Sequence, residues 1–184
     1  MNEHQGYAAS LFAALEFAAT MHRDQRRKDV EASPYINHPI QVAEVLANVG
    51  GIDDLPILMA AVLHDTVEDT DATLEDLTER FGAEVATLVE EVSDDKSLPK
   101  AERKSRQIAH APHLSDSAKL IKLADKICNV RDIACKPPVD WDEERRRQYF
   151  EWAEAVVAGC RGVNSGMESC FDQCVRESRA ALAG

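Results

Sequence analysis

The stretch Ala60–Thr70, with the sequence AAVLHDTVEDT, changes from apolar to ionisable residues within one position. Its first four residues are small or apolar, as in a helix buried in a protein core. Four ionisable residues follow within six positions, namely His64, Asp65, Glu68 and Asp69. Residues four apart lie on the same face of a helix. His64 is therefore expected beside Glu68, and the same spacing relates the other two acids.

Burying such groups costs free energy unless they are paired or bind a metal ion. Imidazole and carboxylate groups together suit Mn, Fe or Zn. Acids alone would be interpreted as the exposed end of a surface helix. That interpretation fits a His-Asp pair directly after four core residues poorly, because position 64 should still face the core. The stretch therefore predicts a metal site at the end of a buried helix.

The composition is that of a globular chain with a tendency to form helices. The 184 residues are 45% hydrophobic, 29% charged and only 5% aromatic. This length predicts a single domain over residues 1–184 with a substantial core. The 33 acidic and 21 basic residues give a net charge of −12, which argues against non-specific binding to nucleic acid. A small anionic ligand needs only a local basic pocket.

The chain shows no sign of export or membrane insertion. No run of 18 apolar residues predicts a membrane-spanning helix, and MNEHQGYAAS lacks the pattern of a signal peptide. The five cysteines fall between positions 128 and 174 and form no CxxC pair. A reduced, cytoplasmic protein fits this pattern better than a disulfide framework. Cys170 and Cys174 share a helical face and could bind metal or react with oxidants, but we interpret them as small hydrophobic residues.

Hydrophobic periodicity predicts helices along the whole chain and no convincing strand. Thr73, with Asp76 three residues on, is typical of a capped helix start, and Lys136-Pro137-Pro138 should end the preceding helix. The predicted fold class is all-α, a single compact bundle of eight to ten helices. The helices are expected at about residues 7–22, 38–49, 55–69, 73–81, 83–93, 100–110, 115–134, 141–161 and 164–182.

Two further segments carry polar residues of interest. Residues 23–34, RDQRRKDVEASP, form a basic loop in an acidic chain, although an isolated charge run is usually solvated surface. In the apolar helix at residues 115–134, Lys122, Asp125 and Asn129 are spaced three and four apart and project from one face. An acid and an amide among apolar neighbours favour a buried site, and a structural Asp–Lys pair is an equal alternative.

Four ordered segments resemble a known family. They are RRKD (Arg26–Asp29), PYINHP (Pro34–Pro39), HDTVEDT (His64–Thr70) and LADKICNVRD (Leu123–Asp132). These resemble segments of the RelA/SpoT-type alarmone hydrolases, a branch of the HD-domain metal-dependent phosphohydrolases, and are most similar to those of the single-domain small alarmone hydrolases. The resemblance covers roughly residues 8–164. Four segments in order are a far more specific signal than a His-Asp pair alone.

The resemblance implies a helical HD fold that binds one divalent metal ion, usually Mn²⁺. The implied ligands are His38, His64, Asp65 and Asp125, with the remaining positions open to water and substrate. Glu68 and Asp69 match an acid pair credited with activating the attacking water. Which of the two is the base stays open at this point, and both could instead hold a bound water or the leaving group.

The resemblance also implies a substrate. The family removes pyrophosphate from the 3′ position of ppGpp or pppGpp and leaves GDP or GTP. The residues that match its phosphate and nucleotide contacts are Arg27, Lys28, Lys100, Asn129, Arg145 and Tyr149. Arg145 lies in the charged run ERRRQ and could equally be helix surface. Since the chain ends at Gly184, no synthetase or regulatory domain is expected.

Two alternative functions belong beside this one. A related enzyme of the same fold could act mainly on another nucleotide, for instance by removing the 2′-phosphate of NADPH. A non-catalytic nucleotide sensor could also keep the fold, but such sensors usually lose a metal ligand or the acid pair. Here all six residues of both sets are present, which favours an enzyme.

Overall fold

A computed structural model describes residues 3–182, with side chains described from Gly6 onward. Met1, Asn2, Ala183 and Gly184, which the predicted domain includes, lie outside the described residues. Between residues 3 and 182 the chain forms ten α-helices, one turn of 3-10 helix and no strand beyond a single bridge between Arg26 and Pro34. The predicted all-α fold class is confirmed.

The helices follow one another with short connections. The first five are α1 (Glu3–Met21), α2 (Asn37–Asn48), α3 (Leu55–Leu63), α4 (Thr66–Asp69) and α5 (Leu74–Phe81). The next five are α6 (Ala83–Val92), α7 (Lys100–His110), α8 (Asp116–Cys135), α9 (Glu143–Ala158) and α10 (Ser165–Ala181), with the 3-10 helix at Ala111–His113.

Side-chain caps set where several helices begin. The Thr73 hydroxyl accepts a hydrogen bond from the Asp76 amide at 3.1 Å, and the Asp76 carboxylate accepts one from the Thr73 amide at 3.0 Å, as predicted. Ser115 caps α8 through the amide of Ala118. Each such cap contributes about 0.5–2 kcal/mol. Asp142 caps α9, so this helix begins at Glu143 and not at residue 141 as predicted, and it ends at Ala158, before Gly159.

The predicted helix over residues 55–69 is wrong in one respect, because the structure divides it in two. α3 ends at Leu63 and α4 begins at Thr66. At this joint, side chains bind backbone carbonyl oxygens. His64 Nδ1 lies 2.8 Å from the Ala61 carbonyl oxygen, and the Thr66 hydroxyl donates to the Leu63 carbonyl oxygen at 2.7 Å. Such local bonds compete with the helical backbone bonds. The joint therefore falls at the first polar residues after the apolar run.

α3 and α8 form the centre of the bundle. All six residues of Leu58–Leu63 are buried, and α3 packs against α1, α2, α6 and α8. α8 packs in turn against α2, α6, α9 and α10. Each buried Leu or Ile contributes about 1.5–3 kcal/mol, so these two helices carry much of the core. Polar side chains at the end of α3 and on one face of α8 are therefore held on rigid supports.

The cysteines are all free thiols. Cys174 is buried, as expected of a small hydrophobic residue, but Cys170 is only half-buried. The Arg131 guanidinium donates to the sulfur of Cys170 at 3.0 Å and to that of Cys174 at 3.4 Å. The hydrophobic interpretation is therefore incomplete for this pair, since both sulfurs also accept hydrogen bonds.

None of the helices within residues 3–182 combines the length and the apolar character needed to cross a membrane.

Candidate metal and substrate site

Two histidines and an aspartate meet at the joint between α3 and α4. His38 lies in the first turn of α2, while His64 and Asp65 form the joint itself. One possible ligand atom from each residue lies within 4.8 Å of the other two. His38 is 1% and His64 is 6% exposed. The structure thus brings together three of the four residues predicted as metal ligands.

Asp125, the fourth predicted ligand, reaches the same point from the middle of α8. Its Oδ1 atom lies 3.1 Å from His38 Nε2 and accepts a hydrogen bond from Asn129 at 2.5 Å. Its Oδ2 atom accepts a bond from the Lys126 ammonium at 2.8 Å. Burial would raise the pKa of Asp125, but Lys126 and then His38 hold it well below the ordinary value. Asp125 is therefore a buried, ionised carboxylate.

His64 presents a ring nitrogen to the cluster. Its Nδ1 atom faces the Ala61 carbonyl, which only accepts hydrogen bonds, so Nδ1 carries a proton. Its buried Nε2 atom lies 3.1 Å from Asp65 Oδ2 and makes no hydrogen bond to any described residue. Metal-binding histidines commonly donate their other N–H group to a carbonyl in this way. Two imidazoles and two carboxylates fit a divalent ion such as Mn, Fe or Zn.

The electrostatics of this cluster also favour a cation. Burial alone would lower the pKa of His64, but the adjacent Asp65 carboxylate raises it to about 9. Burial would raise the pKa of Asp65, whereas His64 and then His38 hold it well below the ordinary value. The carboxylates thus attract positive charge, which protonated imidazole or a metal ion can supply.

Two residues that support the cluster were not predicted. The Tyr35 hydroxyl donates to Asp65 Oδ2 at 2.5 Å, and Lys126 pairs with Asp125. Lys126 is only 3% exposed, and its ammonium lies 4.6 Å from the centre of the Trp152 ring. The lysine that pairs with Asp125 is thus Lys126 and not Lys122 of the predicted face, which donates to the Val92 carbonyl at 2.6 Å instead. The sequence signal for this ion pair was that a lysine, Lys126, directly follows Asp125.

The acid pair on α4 divides between two environments. Glu68 Oε2 accepts a hydrogen bond from the Asp94 amide at 2.9 Å, and its Oε1 atom lies 3.3 Å from the Lys96 ammonium. Burial raises the pKa of Glu68. Asp69 instead accepts a hydrogen bond from the Gln25 amide at 2.8 Å and pairs with Lys96. Lys96 therefore bridges both acids.

Two adjoining cavities open beside these groups. The inner cavity, of about 270 Å³, is lined by residues that include His64, Glu68, Lys100, Lys122 and Asp125. The outer cavity, of about 640 Å³, is lined by residues that include Arg27, Lys28, Asp69, Lys96 and Asp132. They share a boundary formed by Tyr35, His38, Asn129, Trp141 and Tyr149. Together they form one continuous surface next to the metal-ligand candidates.

Five of the six residues predicted to bind substrate line this surface. Lys100 lines the inner cavity, Arg27 and Lys28 line the outer one, and Asn129 and Tyr149 line both. Arg145 lines neither. It is exposed, and its guanidinium lies 4.7 Å from the centre of the Trp141 ring. Arg145 therefore stands at the rim.

A wall of cations in the inner cavity was only partly foreseen. Arg103 and Lys104 line it beside Lys100, because positions 100, 103 and 104 share one face of α7. Burial and neighbouring cations lower the pKa of Lys100, of Lys104 and of the half-buried Lys122. Positive charge is thus concentrated on the α7 side of this cavity, as a bound anion would require. The spacing of three and four along α7 could have revealed this wall.

The fold and this cluster define the class of protein. The HD domain family matches residues 14–151, and the chain belongs to that family. It is 55% identical over 175 residues to the mouse protein named guanosine-3′,5′-bis(diphosphate) 3′-pyrophosphohydrolase MESH1, covering 95% of this chain and 98% of the relative. The human protein of that name is 56% identical over 164 residues, covering 89% and 92%.

A solved structure agrees with these relatives. It is described as a metazoan ortholog of SpoT that hydrolyses ppGpp and plays a role in starvation responses. It superposes with a TM-score of 0.89 at 50% identity, covering 92% of this chain and 95% of that one. The resemblance seen in the sequence is confirmed.

Proposed function

We propose that this chain is a guanosine-3′,5′-bis(diphosphate) 3′-pyrophosphohydrolase that converts ppGpp or pppGpp to GDP or GTP and pyrophosphate. The observation that supports the proposal is the lining of the inner cavity, in which the candidate metal ligands, the half-buried Glu68 and several cations surround one space. Phosphoester hydrolysis needs these three elements together. Relatives at 55% and 56% identity carry the name of this activity.

The metal would be held by His38, His64, Asp65 and Asp125, with Mn²⁺ as the proposed ion. A bound divalent ion supplies a water of lowered pKa and a counter-charge for phosphate oxygens. The fit is supported by the unpartnered Nε2 atom of His64 and by the two ionised carboxylates.

Glu68 is the proposed general base, in preference to Asp69. Glu68 lines the inner cavity with His64 and Asp65, whereas Asp69 lines the outer one. A base works best when its pKa approaches the working pH, and burial shifts the pKa of Glu68 in that direction. Asp69, held by Gln25 and Lys96, would orient substrate or water at the boundary.

The cations would bind the phosphates of the substrate. Arg103, Lys104 and Lys122 face the inner cavity, where they would bind the oxygens of the 3′-pyrophosphoryl group while water attacks its phosphorus. The bond that breaks joins this phosphorus to the ribose 3′ oxygen, which leaves with GDP or GTP. Arg27 and Lys28 would contact the remaining phosphates from the outer cavity, since a guanidinium can bind two phosphate oxygens at once. Trp141 and Tyr149, on the shared boundary, offer ring faces to the nucleoside. A cytoplasmic location belongs to this proposal.

The test compares substrates and identifies the products. Steady-state kcat/KM is measured with ppGpp, pppGpp and NADPH in Mn²⁺, while pyrophosphate and orthophosphate are quantified separately. We expect pyrophosphate in equal amount to GDP or GTP, with ppGpp or pppGpp preferred over NADPH. Preferential release of orthophosphate from NADPH would replace the proposal with the alternative phosphatase, and binding of ppGpp without any turnover would indicate a sensor.

A further inference from the structure

A buried chain of hydrogen bonds runs from the end of α1 to the acid pair. His22, the first residue after α1, is 2% exposed, and its Nδ1 atom lies 2.5 Å from the side-chain oxygen of Gln25. The side-chain amide of Gln25 donates to Asp69 Oδ2 at 2.8 Å. The roles proposed above leave His22 unused and treat Gln25 only as a partner of Asp69.

The Asp69 carboxylate at one end fixes which group donates and which accepts in each of these hydrogen bonds. An ionised Asp69 can only accept, so Gln25 must present its NH₂ group to it. The Gln25 oxygen then faces His22 and can only accept, so the proton must lie on Nδ1 of the imidazole. Burial lowers the pKa of His22, in keeping with a neutral ring that carries this one proton. Each donor in the chain is thereby assigned.

Asp69 is held from two sides by groups of different mobility. Lys96, from the connection between α6 and α7, binds the other carboxylate oxygen, but its side chain is 46% exposed. Gln25 is half-buried and is itself anchored by the fully buried His22. A flexible, exposed lysine can follow the carboxylate when it moves, whereas the anchored amide defines one position. The orientation of Asp69 therefore depends on His22 and Gln25.

The His22 ring also supports the metal-ligand cluster. Its centre lies 4.9 Å from that of the Tyr35 ring, and the Tyr35 hydroxyl donates to Asp65. One buried imidazole thus lies behind a group that binds Asp69 and a group that binds Asp65. Its Nε2 atom has no hydrogen-bond partner among the described residues, so its polar contact is the one to Gln25.

We infer that His22 and Gln25 are positioning residues that hold the Asp69 carboxylate in the orientation required for hydrolysis. This inference rests on the proposed function, since it assigns the two residues to that reaction. His22 lines neither cavity, and its one polar contact, to Gln25, is the route by which it reaches Asp69. A variant that breaks these hydrogen bonds should therefore have a lower kcat and an unchanged KM, whereas loss of a phosphate contact should raise KM.

The experiment compares two replacements of His22. His22→Phe keeps a ring against Tyr35 but removes the donor, and it should lower kcat about two- to tenfold, as expected for a lost hydrogen bond between neutral groups. His22→Asn places an amide donor near the position of Nδ1 and should recover much of that loss. Arg23→Ala, one residue further along and paired only with exposed Asp24, is the matched control and should keep wild-type kcat.

A double-mutant cycle separates positioning from general support of the fold. In an Asp69→Ala background there is no carboxylate to hold, so His22→Phe should cause no further loss of kcat at equal metal content. An equal loss in both backgrounds, or an effect confined to KM, would overturn the inference. Thermal unfolding of each variant identifies any that fails to fold. His22→Asn is the conservative replacement in this set.

A readout that does not need turnover distinguishes this inference from the proposed function. ¹⁵N NMR of the imidazole should show His22 as the neutral tautomer with a slowly exchanging Nδ1 proton, and Gln25→Leu should abolish the slow exchange. A proton on Nε2 would overturn the positioning inference whatever the activity. A wild-type protein with the expected tautomer but without hydrolysis of ppGpp would overturn the proposed function instead.

Discussion

The inner and outer cavities share a boundary, yet they balance charge in different ways. Around the inner cavity most charged groups sit on helices or at helix ends, and two of them, Asp125 and Lys126 on α8, are buried. Around the outer cavity they sit largely on the loop after α1, where Lys28 is exposed. Arg27 there is bound to Asp132 at 2.7 Å. The inner cavity is organised before substrate arrives, whereas Arg27 must give up or share a partner.

The difference predicts that changes around the inner cavity, and at the acid pair, act on kcat and on metal binding, while changes at the cations of the outer cavity act on KM. The largest effect is expected for His64→Ala. Removing one buried imidazole takes away a proposed ligand and leaves Asp65 without its adjacent histidine, so both metal and turnover should be lost. Elemental analysis after gel filtration measures the metal. His113→Ala, at an exposed histidine in the 3-10 helix, should keep both, and stoichiometric metal in His64→Ala would contradict the ligand assignment.

Glu68→Gln should come next. Removal of a general base costs about 10²–10⁴-fold in kcat, and the metal should remain bound because Glu68 is not a proposed ligand. A base must be deprotonated, so activity falls as the pH drops through its pKa. Burial raises that pKa, so the acidic limb of kcat should lie above the ordinary value for glutamate and disappear in the variant. Asp69→Asn should cost less, and the reverse order would make Asp69 the base.

Arg27→Ala tests the outer cavity. A charge-assisted hydrogen bond is worth about 1.5–3 kcal/mol, and part of this is offset because Arg27 must leave Asp132. We therefore expect KM for ppGpp to rise about tenfold, the low end of that range, with kcat unchanged. Asp132→Asn is the matched variant: it frees Arg27 and should lower KM. A rise in KM for both variants would mean that their ion pair supports the loop and does not compete with substrate.

The smallest effect is expected for Arg145→Ala. Arg145 is exposed and stacks on Trp141 at the rim, and contacts between exposed charges contribute only about 0–1 kcal/mol. KM should rise no more than about fivefold at low salt, and the effect should fade as salt screens the charge. An effect that persists at high salt would place Arg145 in direct, desolvated contact with substrate.

The two regions also differ in how well the sequence predicted them. His38, His64, Asp65 and Asp125 could be proposed because the short segments that carry them resemble those of a known family. The joint between α3 and α4 was not predicted, because helical periodicity does not show which side chains hydrogen-bond to backbone carbonyl oxygens. Partners such as Tyr35 and Gln25 also escaped it, since they join segments far apart in the chain. Spacing alone could not show that Arg145 stands at the rim.

The joint between α3 and α4 has a consequence for how this enzyme can change. α4 is only four residues long, and hydroxyl groups tie it down at both ends: Thr66 bonds to Leu63, and Thr70 bonds back to Thr66 at 2.6 Å. The acid pair is thus carried by a short segment that is separate from the buried apolar run of α3. Replacing either acid removes its bond to the Asp94 amide or to Gln25 but leaves the apolar packing of α3 in place, so new chemistry can evolve at this position without repacking the core.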